Sequence, residues 1–488
     1  DVQIILDYNL NDVNATEAFY YITRGQCEGR YKGDDKLQLR KDIQKEFGIS
    51  CSNYNDVKIG EEINKKYYLE KTGKKWWDVK QLETVREVIY IKDLIPSYVQ
   101  FQTEELQAFL ADISSCSFKP EEKFERKFNF AGMKIDFKKG GLHAISKDKL
   151  VVPKEDEILC EFDVASLYPA TILNLKVYPD HLGPDFLDVY KKVFDLRLAS
   201  KKTNKSVAAA LKLSLNGVGY GKLGAKKSWM KDDLAMFRVT FAGQLSLLML
   251  IEQYYLADIK LINANTDSIT ILFTNGDKPE SLVNINKQWQ EITGYILEQT
   301  FYKKLIQRDI NNFLAVKADG LKYKGCFIVD PEIHQNHSQR IVAIALREYF
   351  VNGTAIDKTI KEHKDIYDFC CFAKKRGECK FEARGDTTQT LGKVIRYYVS
   401  NKGVQLMKVM PPLPKKVKEA EEIGEVAKDR EINIQKDYLC TVFNKFVKQE
   451  FEEYDINFEF YILETQKIID NIEDKVKIKK TKKIKNEV

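Results

Sequence analysis

From Asn11 to about Asp112 the apolar residues recur mostly at i, i+3 and i+4 spacing, a pattern that predicts helices. Polar breaks fall around Gly29–Asp35, Ser50–Asn55 and Thr72–Lys75. A strand-rich block follows from Lys127 to Asp163. Asp185 to Leu215 reads as two helices broken at Thr203-Asn204-Lys205, a helical hairpin projecting between strands. A long apolar helix is predicted over Leu234–Ile259. Strands Lys260–Ala264 and Ile269–Phe273 then flank the Asn265–Ser268 turn, which lifts Asp267 to an exposed tip. Trp289–Lys304 looks helical, and Phe313–Val316 with Lys322–Val329 looks like a strand pair around Asp319-Gly320. The remainder mixes strands and helices, with the best late linker in Pro411-Pro412-Leu413-Pro414 and the charged run Lys415–Glu431. The lysine-rich end, Lys475–Lys485, reads as disordered.

Composition narrows the class more than the chemistry. At 488 residues and 44% hydrophobic content, three or four folded units with ample core are expected. The formal charge of +6 leans toward a polyanionic partner, but 72 acidic residues nearly balance 78 basic ones, so the lean is slight. Nine scattered cysteines form no C-x-x-C pair, which argues against a disulfide framework or zinc module and for a reducing cytosol. Cys370, Cys371 and Cys379 read as small buried hydrophobes. No apolar run is expected to reach transmembrane length and no signal peptide opens the chain, so a soluble protein is expected. The chain opens at Asp1 with Gln3–Tyr8 already reading as structured, so an upstream segment is expected.

Chemistry concentrates in two acidic segments about a hundred residues apart. In Ile158-Leu159-Cys160-Glu161-Phe162-Asp163 alternation puts Glu161 and Asp163 on one face, with Asp163 at the strand end. One carboxylate there and another on the Asn265-Thr266-Asp267-Ser268 turn could bridge two Mg²⁺ ions ~3.5–4 Å apart astride a phosphoryl displacement. The helical hairpin places Arg197 and Lys201 on one face of its first helix, and Lys212 and Asn216 on one face of its second. Converging cations suit a triphosphate.

Asp163-Val164-Ala165-Ser166-Leu167-Tyr168-Pro169 resembles the first palm motif of family B DNA polymerases, Asp-x-x-Ser-Leu-Tyr-Pro. Arg-x-x-x-Lys followed by Lys-x-x-x-Asn is similar to that family's fingers pattern. The resemblance implies metal coordination by Asp163, Val164 and Asp267, and triphosphate contacts from the Val164–Leu167 backbone, which includes Ser166 and Leu167, and from Arg197, Lys201, Lys212 and Asn216. It makes Tyr168 the ring that excludes a 2′-hydroxyl. Asn216-Gly217-Val218-Gly219-Tyr220-Gly221 departs from the family's Asn-Ser-x-Tyr-Gly, leaving the placement of Tyr220 against the nascent base pair open. The third motif, Tyr-x-Asp-Thr-Asp-Ser in the family, appears here as Asn263-Ala264-Asn265-Thr266-Asp267-Ser268, with an amide for one carboxylate.

Three further segments carry the resemblance along the chain. Gly140-Gly141-Leu142-His143 resembles a template-contacting segment of phage members, with Lys138 where a Tyr would stand. Phe313 to Gly325 resembles the primer-binding hairpin, with Asn311-Asn312-Phe313 replacing its Lys-x-Tyr and with Lys322 and Lys324 available to the primer backbone. Tyr8-Asn9-Leu10-Asn11-Asp12 matches the Tyr-x-x-x-Asp of a proofreading exonuclease, whose other carboxylate motifs are not present upstream.

The expected fold is therefore α+β, a right-hand polymerase whose palm holds an antiparallel sheet. The segments would be an exonuclease remnant with connecting helices (1–115), palm (116–182), helical-hairpin fingers (183–222), palm again (223–345) and a thumb with a basic tail (346–488). The resemblance implies a nucleotidyltransferase of phage or viral type that extends a primer with deoxynucleotides on Mg²⁺, or Mn²⁺ in its place, and lacks complete proofreading. Expected partners are primer–template DNA, dNTPs and a processivity factor, for a monomer working in the host cytoplasm. Only 49 residues separate Asp163 from Lys212, which favours nucleic-acid over protein priming. An RNA-synthesising or translesion palm enzyme and a non-catalytic DNA-binding scaffold remain alternatives.

Overall fold

Helix ends sit where the sequence offers caps. In the computed structural model, which describes residues 2–28, 33, 35–274, 279–325, 338–375, 377–422, 424–444 and 450–473, α1 spans Val2–Thr23. Helix α2 (Lys36–Phe47) starts on Asp35, whose side chain accepts the Gln38 N–H, and α3 (Asp56–Thr72) starts likewise on Asn55. Gly48 and Gly73 close them at φ of 66° and 67°, the left-handed conformation that glycine adopts without a Cβ penalty.

The chain divides into two compact units, one of Asp1–Asp148 with Val152–Lys304 and the other of Lys149–Val151 with Leu305–Val488. The division falls inside the 223–345 segment expected from the sequence as a second palm portion, because the strands before and after Lys303 join different sheets.

The first unit is built on a seven-stranded sheet, antiparallel at every pairing. Its strands are β1 (Glu125–Phe130), β2 (Met133–Lys138), β3 (Gly141–Ile145), β4 (Glu157–Val164), β5 (Lys260–Asn265), β6 (Ser268–Thr274) and β7 (Leu297–Tyr302). Their order across the sheet is β7-β4-β6-β5-β3-β2-β1. Further helices are α4 (Glu104–Ser114), α5 (Leu167–Asn174), α6 (Asp185–Thr203), α7 (Lys205–Asn216), α8 (Asp233–Leu256) and α9 (Pro279–Thr293).

Helix α8 is apolar nearly all round because it is the core helix. Phe237, Phe241, Leu245 and Leu248 share a cluster with Phe137, Leu142 and Ala144 of the sheet. By length and composition α8 could cross a membrane, which corrects the expectation that no apolar run is so long; 78% of its most apolar window is buried inside the unit. A second core joins α2, α3, α6 and α7 through Ile43, Ile63, Tyr190 and Leu211. There Gly60 of α3 meets Ser214 of α7 at backbone distance, since a Cβ on Gly60 would lie 2.7 Å from Ser214 Cα. Asn64 Nδ2 donates to the Ser214 hydroxyl at 2.6 Å, and that hydroxyl donates to the Gly60 carbonyl at 3.0 Å.

Among the described residues the second unit carries three sheets. One orders Leu321–Lys324, Asn312–Val316, Lys304–Asp309 and Leu150–Val151, and the next orders Cys371–Lys374, Val394–Ser400 and Leu439–Val442. The last orders Thr388–Leu391, Lys380–Arg384, Gln405–Met410 and Arg430–Asn433. Helices Arg340–Asn352 and Phe458–Ile472 bury Ile341, Leu346, Tyr461 and Ile469 in its core.

Two local expectations give way. Trp289–Lys304 is not one helix: α9 stops before Gly294, at φ 71°, and Leu297–Tyr302 becomes the edge strand beside β4. The β-favouring Thr300, Phe301 and Tyr302 gain cross-strand partners there that a helix would not offer. Nor is 415–431 a linker, because Pro414–Glu422 is helical and Arg430–Asn433 pairs with Gln405–Met410. The pairing is reinforced by Arg384, whose guanidinium donates to Glu431. Cys370, Cys371 and Cys379 are buried as expected, and burial pushes the Cys370 thiol up to about 12. Part of the predicted Lys322–Val329 strand and the lysine-rich end lie outside the described residues.

Candidate active site

Strands β4 and β6 are neighbours in register, with Asp163 opposite Ser268 and Glu161 opposite Thr270. The β5–β6 hairpin closes with Asn265 opposite Ser268, leaving Thr266 and Asp267 as its two-residue tip. The Asp267 carbonyl accepts the Val164 N–H at 2.7 Å, so the backbones carrying the two key carboxylates are directly bonded. Both Asp163 and Asp267 are half-buried. The acidic segments, about a hundred residues apart in sequence, thus meet at one end of one sheet.

Two further strand neighbours shape this end. Glu298 of β7 stands opposite Asp163 on its other side. Tyr302 donates its hydroxyl to Glu161 Oε2 at 2.6 Å, and burial first, then the charge of Glu161, raises the phenol above its ordinary range. Tyr302 therefore stays a donor, and Glu161, 5% exposed, is held as a structural carboxylate beneath Asp163. Sequence reading missed Glu298 and Tyr302, since both were placed in a helix.

The donor set can be weighed against a divalent cation. Among the described residues no group of three or more His, Cys, Asp or Glu side chains could hold a metal. What remains is two carboxylates, the Val164 backbone and the neutral Asn265 oxygen, which accepts the Thr266 hydroxyl at 3.3 Å. All are oxygen donors, and few are charged. That fits Mg²⁺, which is commonly bound through one or two carboxylates plus substrate phosphates, and it does not fit a dedicated zinc site.

The segment after Asp163 turns sharply. Ser166 takes the left-handed conformation (φ 56°, ψ 50°) and precedes α5. Its hydroxyl accepts Arg197 Nη1 at 3.0 Å, joining the helical hairpin to this turn. Arg197 is 9% exposed; burial lowers its proton affinity, opposed by Tyr190 and Glu298. A guanidinium stays charged regardless, so it is a desolvated cation suited to an anionic ligand. Leu167 is buried against Gly243 of α8, where a Cβ would come within 3.1 Å of Leu167 Cδ2. The half-buried Tyr168 donates its hydroxyl to the Gly140 carbonyl at 3.2 Å.

The hairpin forms as the sequence predicted, with Asn204 capping α7 through the Val207 N–H. Lys201, Lys212 and Asn216 are exposed on it. Gly217–Lys222, which contains Tyr220, is a π-helical continuation of α7.

Other expected residues lie elsewhere. Lys139 and Gly140 form the β2–β3 turn in the first unit, and Gly141 opens β3 opposite Lys138. Lys322, half-buried, and Lys324, exposed, stand on a strand of the second unit. Tyr8 and Asp12 lie on the exposed surface of α1, a helical turn apart, with no partner carboxylate cluster among the described residues.

Neither a protein-family model nor a curated protein matches the chain. Among solved structures it is distantly similar to the family B DNA polymerase of the hyperthermophilic archaeon Pyrobaculum calidifontis, with a TM-score of 0.37 and 13% identity over 73% of this chain. The match covers 49% of that polymerase, so this chain spans about half its length.

Proposed function

We propose that the chain is a template-directed DNA polymerase of family B type, adding deoxynucleotides to a primer 3′-hydroxyl. The observation that carries this reading is the Val164 N–H bond to the Asp267 carbonyl, which puts the ends of two separate acidic motifs on adjacent strands. On this reading the seven-stranded sheet with α8 is the palm, α6–α7 the fingers, and the second unit supplies a primer-contacting hairpin and thumb.

Asp163 and Asp267, with backbone and Asn265 oxygens, would hold two Mg²⁺ ions, which when bound supply a lowered barrier for the 3′-hydroxyl and charge neutralisation on the phosphates. The protein's own residues orient the nucleotide. Arg197, fixed by Ser166, and the exposed Lys201 and Lys212 meet the β and γ phosphates. Ring packing of Tyr168 beneath the sugar excludes a 2′-hydroxyl. The amide at Asn265 weakens metal affinity relative to a third carboxylate, so a higher Mg²⁺ requirement is expected. A phage or viral replication role in host cytoplasm, a monomeric state and a processivity partner belong to the same proposal.

Primer extension on a defined template with Mg²⁺ tests it, with a mismatched terminus as control. Extension without excision is expected. Binding of primer–template with no extension under Mg²⁺ or Mn²⁺ would instead support the scaffold reading.

A further inference from the structure

Gly140 and Gly141 were expected to meet the template, and the two lysines that precede them, Lys138 and Lys139, already have partners within the protein. Lys138 Nζ pairs with Asp136 at 2.7 Å. Lys139 Nζ lies 4.2 Å over the Phe118 ring and 5.1 Å from Phe237, and donates to the carbonyls of Lys119 and Pro120. Burial lowers the Lys139 ammonium from its ordinary value. Both lysines are partly exposed, and each already holds a protein partner.

The glycines touch both halves of the candidate active site. The Gly140 carbonyl accepts the Tyr168 hydroxyl. Gly141 lies under the hairpin tip, where a Cβ would come within 3.0 Å of Thr266 Oγ1 and 3.4 Å of Thr266 Cγ2. Thr266 is pinned from the same strand, its N–H donating to the Leu142 carbonyl at 2.8 Å. It is a β-branched residue at φ 61°, a conformation that such residues rarely adopt and that its surroundings must hold in place.

From this geometry we infer that the Gly140–Gly141 turn is a positioning element that sets the height of the sugar-selecting Tyr168 ring and of the Asp267 hairpin together. The inference rests on the polymerase reading. Discrimination against ribonucleotides then depends on the Gly140 carbonyl as well as on the ring, because a tethered ring resists displacement by a 2′-hydroxyl. Gly141 acts through Thr266, by leaving it room.

The test is single-nucleotide incorporation by the full chain, comparing dATP with ATP opposite dT, alongside primer–template binding. Tyr168→Phe keeps the ring and loses the tether, and is expected to lower the dATP/ATP ratio of kcat/KM by about five- to tenfold, the worth of one partly buried hydrogen bond. Gly141→Ala should lower kcat at least about tenfold with primer–template Kd unchanged, since a carboxylate displaced by a fraction of an ångström loses positioning. Adding Thr266→Gly to Gly141→Ala should restore kcat to that of Thr266→Gly alone. An unchanged ratio in Tyr168→Phe overturns the inference by itself. So does a Gly141→Ala enzyme that loses DNA affinity and is not rescued, which would return the turn to a template seat. A wild-type chain that incorporates nothing sinks the polymerase reading instead.

Discussion

Replacing Gly60 by alanine tests the support beneath the α6–α7 hairpin. The added Cβ would sit 2.7 Å from Ser214 Cα, 2.8 Å from Ser214 N and 3.0 Å from Leu213 C. All three are backbone atoms of α7, so no rotamer change relieves the clash and the two helices must separate. Separation by about an ångström stretches the bonds from Asn64 to Ser214 and from Ser214 to Gly60, which are buried. Overpacking of this kind costs about 1–3 kcal/mol, and weakening two buried hydrogen bonds adds about 1 kcal/mol each, giving about 3–5 kcal/mol in all. Urea unfolding monitored by tryptophan fluorescence should show a lower midpoint with the slope preserved. Because α7 carries Lys212 and Asn216, whatever folds should also need more dNTP. Ser214→Gly should not rescue, since the clashing atoms are main chain. A Gly60→Ala protein as stable as wild type would refute the close crossing itself.

Three other outcomes are expected. Asp163→Ala or Asp267→Ala should each lower primer extension at least about a thousandfold while primer–template binding persists, since removing positioned charge at the reacting phosphate costs several kcal/mol; near-normal extension by either variant would exclude that carboxylate from the chemistry. Lys212→Ala should raise the apparent dNTP KM about tenfold with a smaller change in kcat, read by steady-state kinetics, and an unchanged KM would remove the residue from the triphosphate site. In the second unit burial alone would raise the Asp368 carboxyl, but bonds from His363 and Arg340 outweigh it and hold it below its ordinary value. Its contribution to stability is then fully present above the ordinary carboxylate pKa of about 3.9 and lost as pH falls through the lower folded value. Asp368→Asn should flatten the acid limb of a stability–pH curve, and an identical limb would count against the pairing.

Legibility followed locality. The Asn265–Ser268 tip, the Asn204 break and the strand ending near Asp163 rest on turn and capping chemistry confined to a few residues, and each stands within a residue or two of its expected place. What failed depended on distant partners. Leu297–Tyr302 is a strand because β4 lies beside it, and Arg430–Asn433 because Gln405–Met410 and Arg384 receive it. The backbone contact of Gly60 with Ser214 joins residues 154 positions apart, which no local pattern displays. Thr266 was hidden for another reason. Two-residue turns that need a positive φ usually use Gly or Asn, and here a threonine is forced into one.

Three residues in the loop between β3 and β4 decide how the polypeptide could be divided. Leu150 and Val151 add an edge strand opposite Ile306 and Leu305, the Lys149 carbonyl accepts the Gln307 N–H at 2.8 Å, and the Lys149 ammonium reaches Asn471 Oδ1 at 2.6 Å. A polypeptide begun at Leu305 would therefore leave the strand edge at Leu305 and Ile306 bare. On the ribosome Leu150 and Val151 emerge about 150 positions ahead of their strand partners, so an edge strand made early waits for the later half that receives it.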